Sequence, residues 1–361
     1  MVTSRPWATG MFLEHYKHRL LQHIEIMGFT TQQISEYIKS ALPQGEAKDL
    51  ESYVKNRPPI RGCMYIPLNS AIVVTVYQDR QASGCPLPTT LTELYTALAQ
   101  ILLVRYLRGH PELEKGSQCI GIFKDLLVPC RVQTNFAELC KLAYKGIVGE
   151  SNQVQLIFKE SELPADFDNL GFMDSVTELY VTRGTVSSHN FLHLTFQEFF
   201  AAVHISTMSP ADQLVHFQKH EDGRLNVVLR FLAGITKLSC FSSEGASITS
   251  QCFTGGHYSH ECDIAVNSQL VNWMFETQSK NVSALLNVKH GTGPLTIKFK
   301  GGMSMLPMDY YSLGYCIAHS ECQWVLDMCE LHTLDREMIE ILVNGAELRS
   351  DTCGRVVGFI G

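Results

Sequence analysis

FLHLTFQEFFAA, residues 191–202, is the stretch on which the reading of this chain turns. From Phe196 onward apolar residues recur at helical spacing, with Phe196, Phe199, Phe200 and Val203 on one face, which predicts an amphipathic helix. His193 stands just ahead of that helix. As a residue type, a single histidine beside an apolar face suits a satisfied core group, and its place at a helix start also suits contact with a ligand. The string by itself leaves both readings open.

Working outward, NFAELCKLAYKGIVG (135–149) reads as a helix with Phe136, Leu139, Leu142 and Ala143 inward. LIFKESEL and ELYVTRGTVSSHNFLHLT read as strand and hairpin, with Arg183-Gly184 at the turn. Helices and a β wing ahead of FQEFFAAVHI predict a winged-helix unit. Further upstream, Thr30 or Thr31 caps a helix carrying Ile34, Tyr37, Ile38 and Leu42, which Pro43 ends. A helix over Ala47–Lys55 is expected to stop at Pro58-Pro59, and another to begin at Pro67, where the missing N–H costs nothing. TTLTELYTALAQILLVRYLRG has Thr89 or Thr90 as N-cap and Glu93 close to the capping-box position.

Downstream, LNVVLRFLAGITKL (225–238) is the clearest helix, and the polar Gly- and Ser-rich stretch Cys240–Asp263 reads as a loop. From Cys322 the chain alternates Trp324, Leu326, Met328 and Leu331 and then turns helical, as one leucine-rich-repeat unit does. The chain opens on strand-like Met1–Ser4, which reads as the tail of a larger α/β unit, followed by a helix over 11–24.

Composition excludes several classes. The 361 residues are 45% hydrophobic and 18% charged, enough for a real core. The net charge of -7 and the lack of any basic arm argue against a nucleic-acid partner, because phosphate binding needs a basic face. The longest apolar runs, such as Ser70–Tyr77, fall short of the roughly 20 residues that span a bilayer, so no membrane span is expected. Twelve cysteines are scattered singly with no C-x-x-C pair, which suits reduced thiols in the cytosol or nucleus.

No catalytic constellation stands out: there is no G-x-S-x-G and no H-E-x-x-H, and His15, His18 and His23 read as a solvated helix face. Cys252, His257, His260 and Cys262 are zinc ligand types, but C-x4-H-x2-H-x-C is not a common finger spacing, and a Gly-rich loop without metal is the expectation.

The succession TSRPWA (3–8), IEIMGFT (24–30), Pro67-Leu68-Asn69 and FLHLTFQEFFAA resembles the NACHT family of NOD-like receptors, nucleotide switches of the STAND class. The resemblance implies a mainly α fold with small α/β parts. It assigns 1–28 to the end of a nucleotide-binding domain, 29–108 to a first helical domain and 109–205 to a winged-helix domain. Residues 206–305 would form a second helical domain and 306–361 the start of a leucine-rich-repeat-like region. It also implies three nucleotide contacts: Arg5 as the sensor reading the far phosphate, Pro67 packing on adenine, and His193 reaching the β-phosphate of ADP. The implied cofactor is ADP or ATP with magnesium. The implied partners are other NACHT protomers and signalling adaptors, with oligomerisation on activation, in cytoplasmic innate-immune-type signalling.

Two departures limit this. The 361 residues contain no G-x-x-x-x-G-K-[ST], whose amides and lysine supply most of a phosphate cradle, and no acidic magnesium site precedes TSRP. The chain by itself is therefore expected to have no ATPase activity and to bind ADP poorly. A nucleotide-independent interaction scaffold is the alternative.

Overall fold

The structure, a computed structural model, describes residues 28–243, 268–282, 295–298, 307–320, 324–327, 342 and 356–360, apart from positions 56, 112, 114–117, 121, 150–153, 165–169, 181–183, 220–222 and 281 within them. The helix expected over 11–24, with its three histidines, and the cluster Cys252, His257, His260 and Cys262 lie outside the described residues.

The first helical region starts at a glycine that no other residue could replace without a shift. Gly28 has φ +84, and a Cβ there would lie 2.2 Å from the carbonyl oxygen of Tyr65, which also accepts the Phe29 N–H at 2.7 Å. Helix α1 (Thr31–Ala41) follows, closed by a capping box in which Thr30 Oγ1 accepts from Gln33 N–H and the Gln33 side chain accepts from Thr30 N–H. Helix α2 (Gln44–Lys55) ends as expected, but Pro58 and Pro59 do more than stop it. They open a further helix, α3 (Pro58–Met64), because proline in the first turn sacrifices no intrahelical bond. Helix α4 (Pro67–Ser83) closes on Gly84 at φ +68, and α5 runs over Leu91–Gly109.

The middle region begins with a small antiparallel pair not expected from the sequence, β1 (Gln118–Ile120) with β2 (Phe123–Val128). Helix α6 (Cys130–Val148) starts directly after Pro129, a turn earlier than its apolar periodicity indicates. Strands β3 (Phe158–Lys159), β4 (Met173–Tyr180) and β5 (Gly184–Phe191) form an antiparallel sheet in the order β3-β5-β4. The β4–β5 register runs from Met173↔Phe191 to Tyr180↔Gly184.

Helix α7 (Leu194–Ser206) carries FQEFFAA, and its amphipathic reading needs correction: every residue from Phe196 to Val203 is buried, Gln197 and Glu198 included. A helix covered all round belongs at the centre of a layer stack. Phe196 and Phe199 face Tyr95 of α5, with ring centroids 5.4 and 6.1 Å apart. Phe200 faces the other way, onto Phe136 of α6, Phe172 just before β4 and Phe191 of β5. Gln197 tolerates burial because its Nε2 donates to the Gln155 carbonyl.

The last helical region comprises α8 (Pro210–Gln218), α9 (Asn226–Thr236), α10 (Ser239–Ser243), α11 (Ser268–Thr277) and α12 (Pro307–Ala318). Where a loop was expected from Cys240, α10 forms because Cys240 and Phe241 are buried, Phe241 against Phe217 at 5.2 Å. Helix α9 packs between α7, α5 and α11, and α12 returns to touch α3, where a Cβ on Gly62 would lie 3.1 Å from the Met308 backbone. Three short strands, β6 (Leu295–Lys298), β7 (Trp324–Asp327) and β8 (Val356–Ile360), pair in parallel in chain order. Their sheet begins at Leu295. The fold is mainly α with small α/β parts.

Candidate functional site

Two of the three expected contacts fall among the described residues, and both sit at helix N-termini. Pro67 occupies the first position of α4, exposed, behind an extended Ile66. His193 is the N-cap of α7, exposed, with the extended backbone that a cap requires. Arg5 lies outside the described residues.

The cap chemistry at His193 is specific. Its carbonyl accepts the Phe196 N–H at 3.0 Å, and its Nδ1 accepts the Thr195 N–H at 3.1 Å. A ring nitrogen that accepts an amide proton carries none of its own, so the neutral imidazole holds its proton on Nε2 and that atom is a donor. Ser, Thr, Asp or Asn would cap as well with an oxygen. Histidine satisfies the same amide and keeps a second, donating nitrogen. The amide dipoles of a 13-residue helix add a positive bias at this end, which favours an anion.

One buried side chain ties the two helix starts together. Tyr95, on α5, is fully buried, and its hydroxyl donates to Asn69 Oδ1 at 3.1 Å, on the first turn of α4. Asn69 is held in turn by donating to the Cys63 carbonyl at 3.1 Å. On its other side Tyr95 neighbours the Thr195 side chain, and the Thr195 main-chain N–H donates to His193 Nδ1 at 3.1 Å. Burial pushes the Tyr95 phenol far above its ordinary value, so it stays a proton donor at any physiological pH. The chain Asn69–Tyr95–Thr195–His193 thus joins the start of α4 to the start of α7.

The rim is apolar and open. Ile66 is 47% exposed next to Pro67, and Leu192 is 42% exposed next to His193. Chemically this is a donor imidazole and a helix N-terminus near an apolar edge, suited to a molecule with an anionic end and a flat apolar end. A separate cavity of about 1070 Å³ opens at the opposite, C-terminal end of α7, lined by residues such as Phe136, Cys140, Ile235 and Lys237. Among the described residues no group of His, Cys, Asp and Glu is arranged to hold a metal ion, and no helix is long and apolar enough to cross a membrane.

Asn69, Tyr95 and Thr195 escape sequence reasoning. Tyr95 falls in an ordinary apolar helical pattern, and its two polar contacts depend on neighbours 26 and 100 residues away. Thr195 carries a weak signal, standing two positions past the cap.

The architecture defines a class of protein: helical modules packed through a central buried helix, with a hairpin-bearing unit between them and a parallel sheet at the end. The comparisons then narrow it. No family model matches the chain. It is 25% identical over 283 residues to NACHT, LRR and PYD domains-containing protein 3 from Homo sapiens, a match covering 68% of this chain and 25% of that protein. It is 26% identical to human NACHT, LRR and PYD domains-containing protein 12 over 56% of this chain and 18% of that one. Human Nucleotide-binding oligomerization domain-containing protein 2 is 28% identical over 57% and 19% respectively. The chain is similar to NACHT-containing NOD-like receptors, and it spans about a quarter or less of the length of those it matches.

Proposed function

We propose that this chain is the regulatory part of a NOD-like-receptor-type switch, controlled by ADP and ATP, and not a catalyst of substrate turnover. The observation that carries this reading is the link from α4 to α7 through Tyr95, which sets Pro67 and His193 at two joined helix starts with a donor nitrogen on the imidazole. In this reading His193 Nε2–H donates to the β-phosphate of ADP, and Ile66 and Pro67 meet the adenine. A P-loop and its magnesium complete the cradle, and Arg5 reads the far phosphate. ADP holds the modules closed, and exchange to ATP frees the unit around α7 to move and the protein to oligomerise with other NACHT protomers and adaptors. The three parallel strands then start a leucine-rich-repeat array, and the setting is cytoplasmic innate-immune signalling.

A hydrogen bond to a charged group contributes about 1.5–3 kcal/mol, which is a 10- to 150-fold change in an affinity. The test is His193→Asp in a chain that also carries a P-loop. Asp caps α7 as well as His does but repels a phosphate, so ADP affinity measured by calorimetry should fall at least about tenfold and monomer should shift to oligomer. Equal ADP affinity in parent and variant would overturn the assignment and favour the nucleotide-independent scaffold, to which the absence of G-x-x-x-x-G-K-[ST] from these 361 residues already points.

A further inference from the structure

The cavity at the C-terminal end of α7 has no part in the nucleotide reading. Its volume of about 1070 Å³ is that of a site for a drug-sized molecule. Ala97 of α5, Phe136 and Cys140 of α6, Val203 of α7 and Ile235 of α9 give it apolar walls.

The polar groups in the lining are mostly engaged elsewhere. Thr89 donates from both its amide and its hydroxyl to Glu93, each at 2.7 Å. Thr92 Oγ1 donates to Glu276 of α11 at 2.7 Å, and Thr96 Oγ1 to the Thr92 carbonyl at 2.8 Å. Gln133 Nε2 and Thr236 Oγ1 each meet a main-chain carbonyl at 2.8 Å, those of Val128 and Leu232. The end of α7, whose free carbonyls would otherwise draw a cation, is closed on itself. There Ser206 Oγ donates to the Val203 carbonyl and Thr207 Oγ1 to the His204 carbonyl, both at 2.7 Å, while Gln213 Nε2 donates to the Ser206 carbonyl at 3.1 Å.

Arg80 is the exception. It lies in the last turn of α4, lines the cavity, and its Nε is buried with no hydrogen-bond partner among the described residues. A buried donor left unmet is costly and uncommon. The Cys85 thiol neighbours the guanidinium, but a thiol is a weak acceptor. Lys237 brings a second positive charge to the lining, and Glu93, already held by Thr89, is its one carboxylate. His204 adds no charge at neutral pH, because burial and then Lys141 hold its imidazole below the ordinary value. The lining thus carries a surplus of positive charge and one unmet N–H beside apolar walls.

We propose that this cavity binds an amphiphilic carboxylic acid, with its carboxylate on the Arg80 guanidinium and its hydrocarbon chain against Phe136, Val203 and Ile235. The planar fork of a guanidinium matches the two oxygens of a carboxylate. A phosphate, with more charge and more oxygens, would need more free donors than this lining offers. The site lies at the other end of α7 from His193 and goes beyond the nucleotide reading.

Calorimetry of the 361-residue chain with decanoate, below its micelle concentration and without nucleotide, tests the site. Decanoate should bind the parent, and decanol, which has the chain without the charge, should bind at least about tenfold more weakly. Arg80→Met removes the fork and keeps an apolar stem, so this variant should bind decanoate about as weakly as the parent binds decanol. Ala137→Trp, at an exposed position of α6 in the cavity lining, fills the space and should abolish decanoate binding, with the parent's far-ultraviolet circular dichroism retained. Absence of decanoate binding, equal affinity of the parent for decanoate and decanol, or undiminished binding in either variant would each overturn the proposal. The comparison of decanoate with decanol uses the parent chain, so it decides even where a variant does not fold. Because no ADP is present, failure here leaves the assignment of His193 standing, and the converse.

Discussion

The N-termini of α5 and α7 solve one problem in opposite ways. Both helices must find acceptors for their first free amides. At α5 the site is sealed: Thr90, itself fully buried, takes one amide and Glu276 takes two more, with Arg230 balancing the charge. At α7 the site is open: an exposed imidazole takes the Thr195 amide and keeps a donor nitrogen. A buried helix start has no water to fall back on, so every donor must be met from within the chain. An exposed start can leave its remaining amides to water, and water can be displaced by a ligand. The sealed end is therefore a structural joint and the open end a place for recognition, although both are helix starts of similar sequence character.

The largest expected effect comes from breaking the sealed end's charge balance. Arg230→Met keeps the length of the side chain and removes the guanidinium, leaving Glu276 in the interior with amides and a hydroxyl but no cation. Losing one partner of a buried ion pair costs about 3–5 kcal/mol. Urea unfolding should show a loss of that size, and a loss under about 1 kcal/mol would mean that the amides alone stabilise the carboxylate.

Thr90→Ala comes next, because it removes one of the two acceptors at the same end and orphans the Glu93 amide. N-cap truncation costs about 1 kcal/mol, up to about 2. Since Thr90 is fully buried, the value should fall in the upper half of that range by the same measurement. A loss no larger than that of a solvent-exposed cap would show that water reaches the α5 start, and the contrast between the two ends would fail.

What the sequence reveals differs between these two ends for a physical reason. Thr90 with Glu93, and His193 ahead of FQEFF, are local signals, because caps act over three or four residues. The structure keeps both, with Glu93 reaching Thr89 and not Thr90. Glu276 could not be read as a cap. It stands at the end of a helix pattern, and only the fold brings it to Leu91. The same limit hid the burial of α7 on every side, since Gln197 and Glu198 look solvent-facing until α6, the sheet and α9 close around them. Pro58-Pro59 misled in the other direction: proline ends one helix and starts the next equally well, and the sequence favours neither.

The smallest effect is the most discriminating. His193→Asp should change the stability of the 361-residue chain by no more than about 0.5 kcal/mol. The aspartate oxygen accepts the Thr195 amide as Nδ1 does, and a negative charge at a helix N-terminus is mildly favourable, by about 0.3–1 kcal/mol. The Nε2 donor disappears, and with it any attraction for a phosphate. If His193 were only a structural cap, the substitution would be silent in every assay, including ADP affinity in a chain with a P-loop. If it is a ligand contact, stability and nucleotide affinity separate. A loss of 2 kcal/mol or more on His193→Asp would place the imidazole in the packing of α7, as Thr90 is in that of α5, and the open end would prove to be a second sealed one.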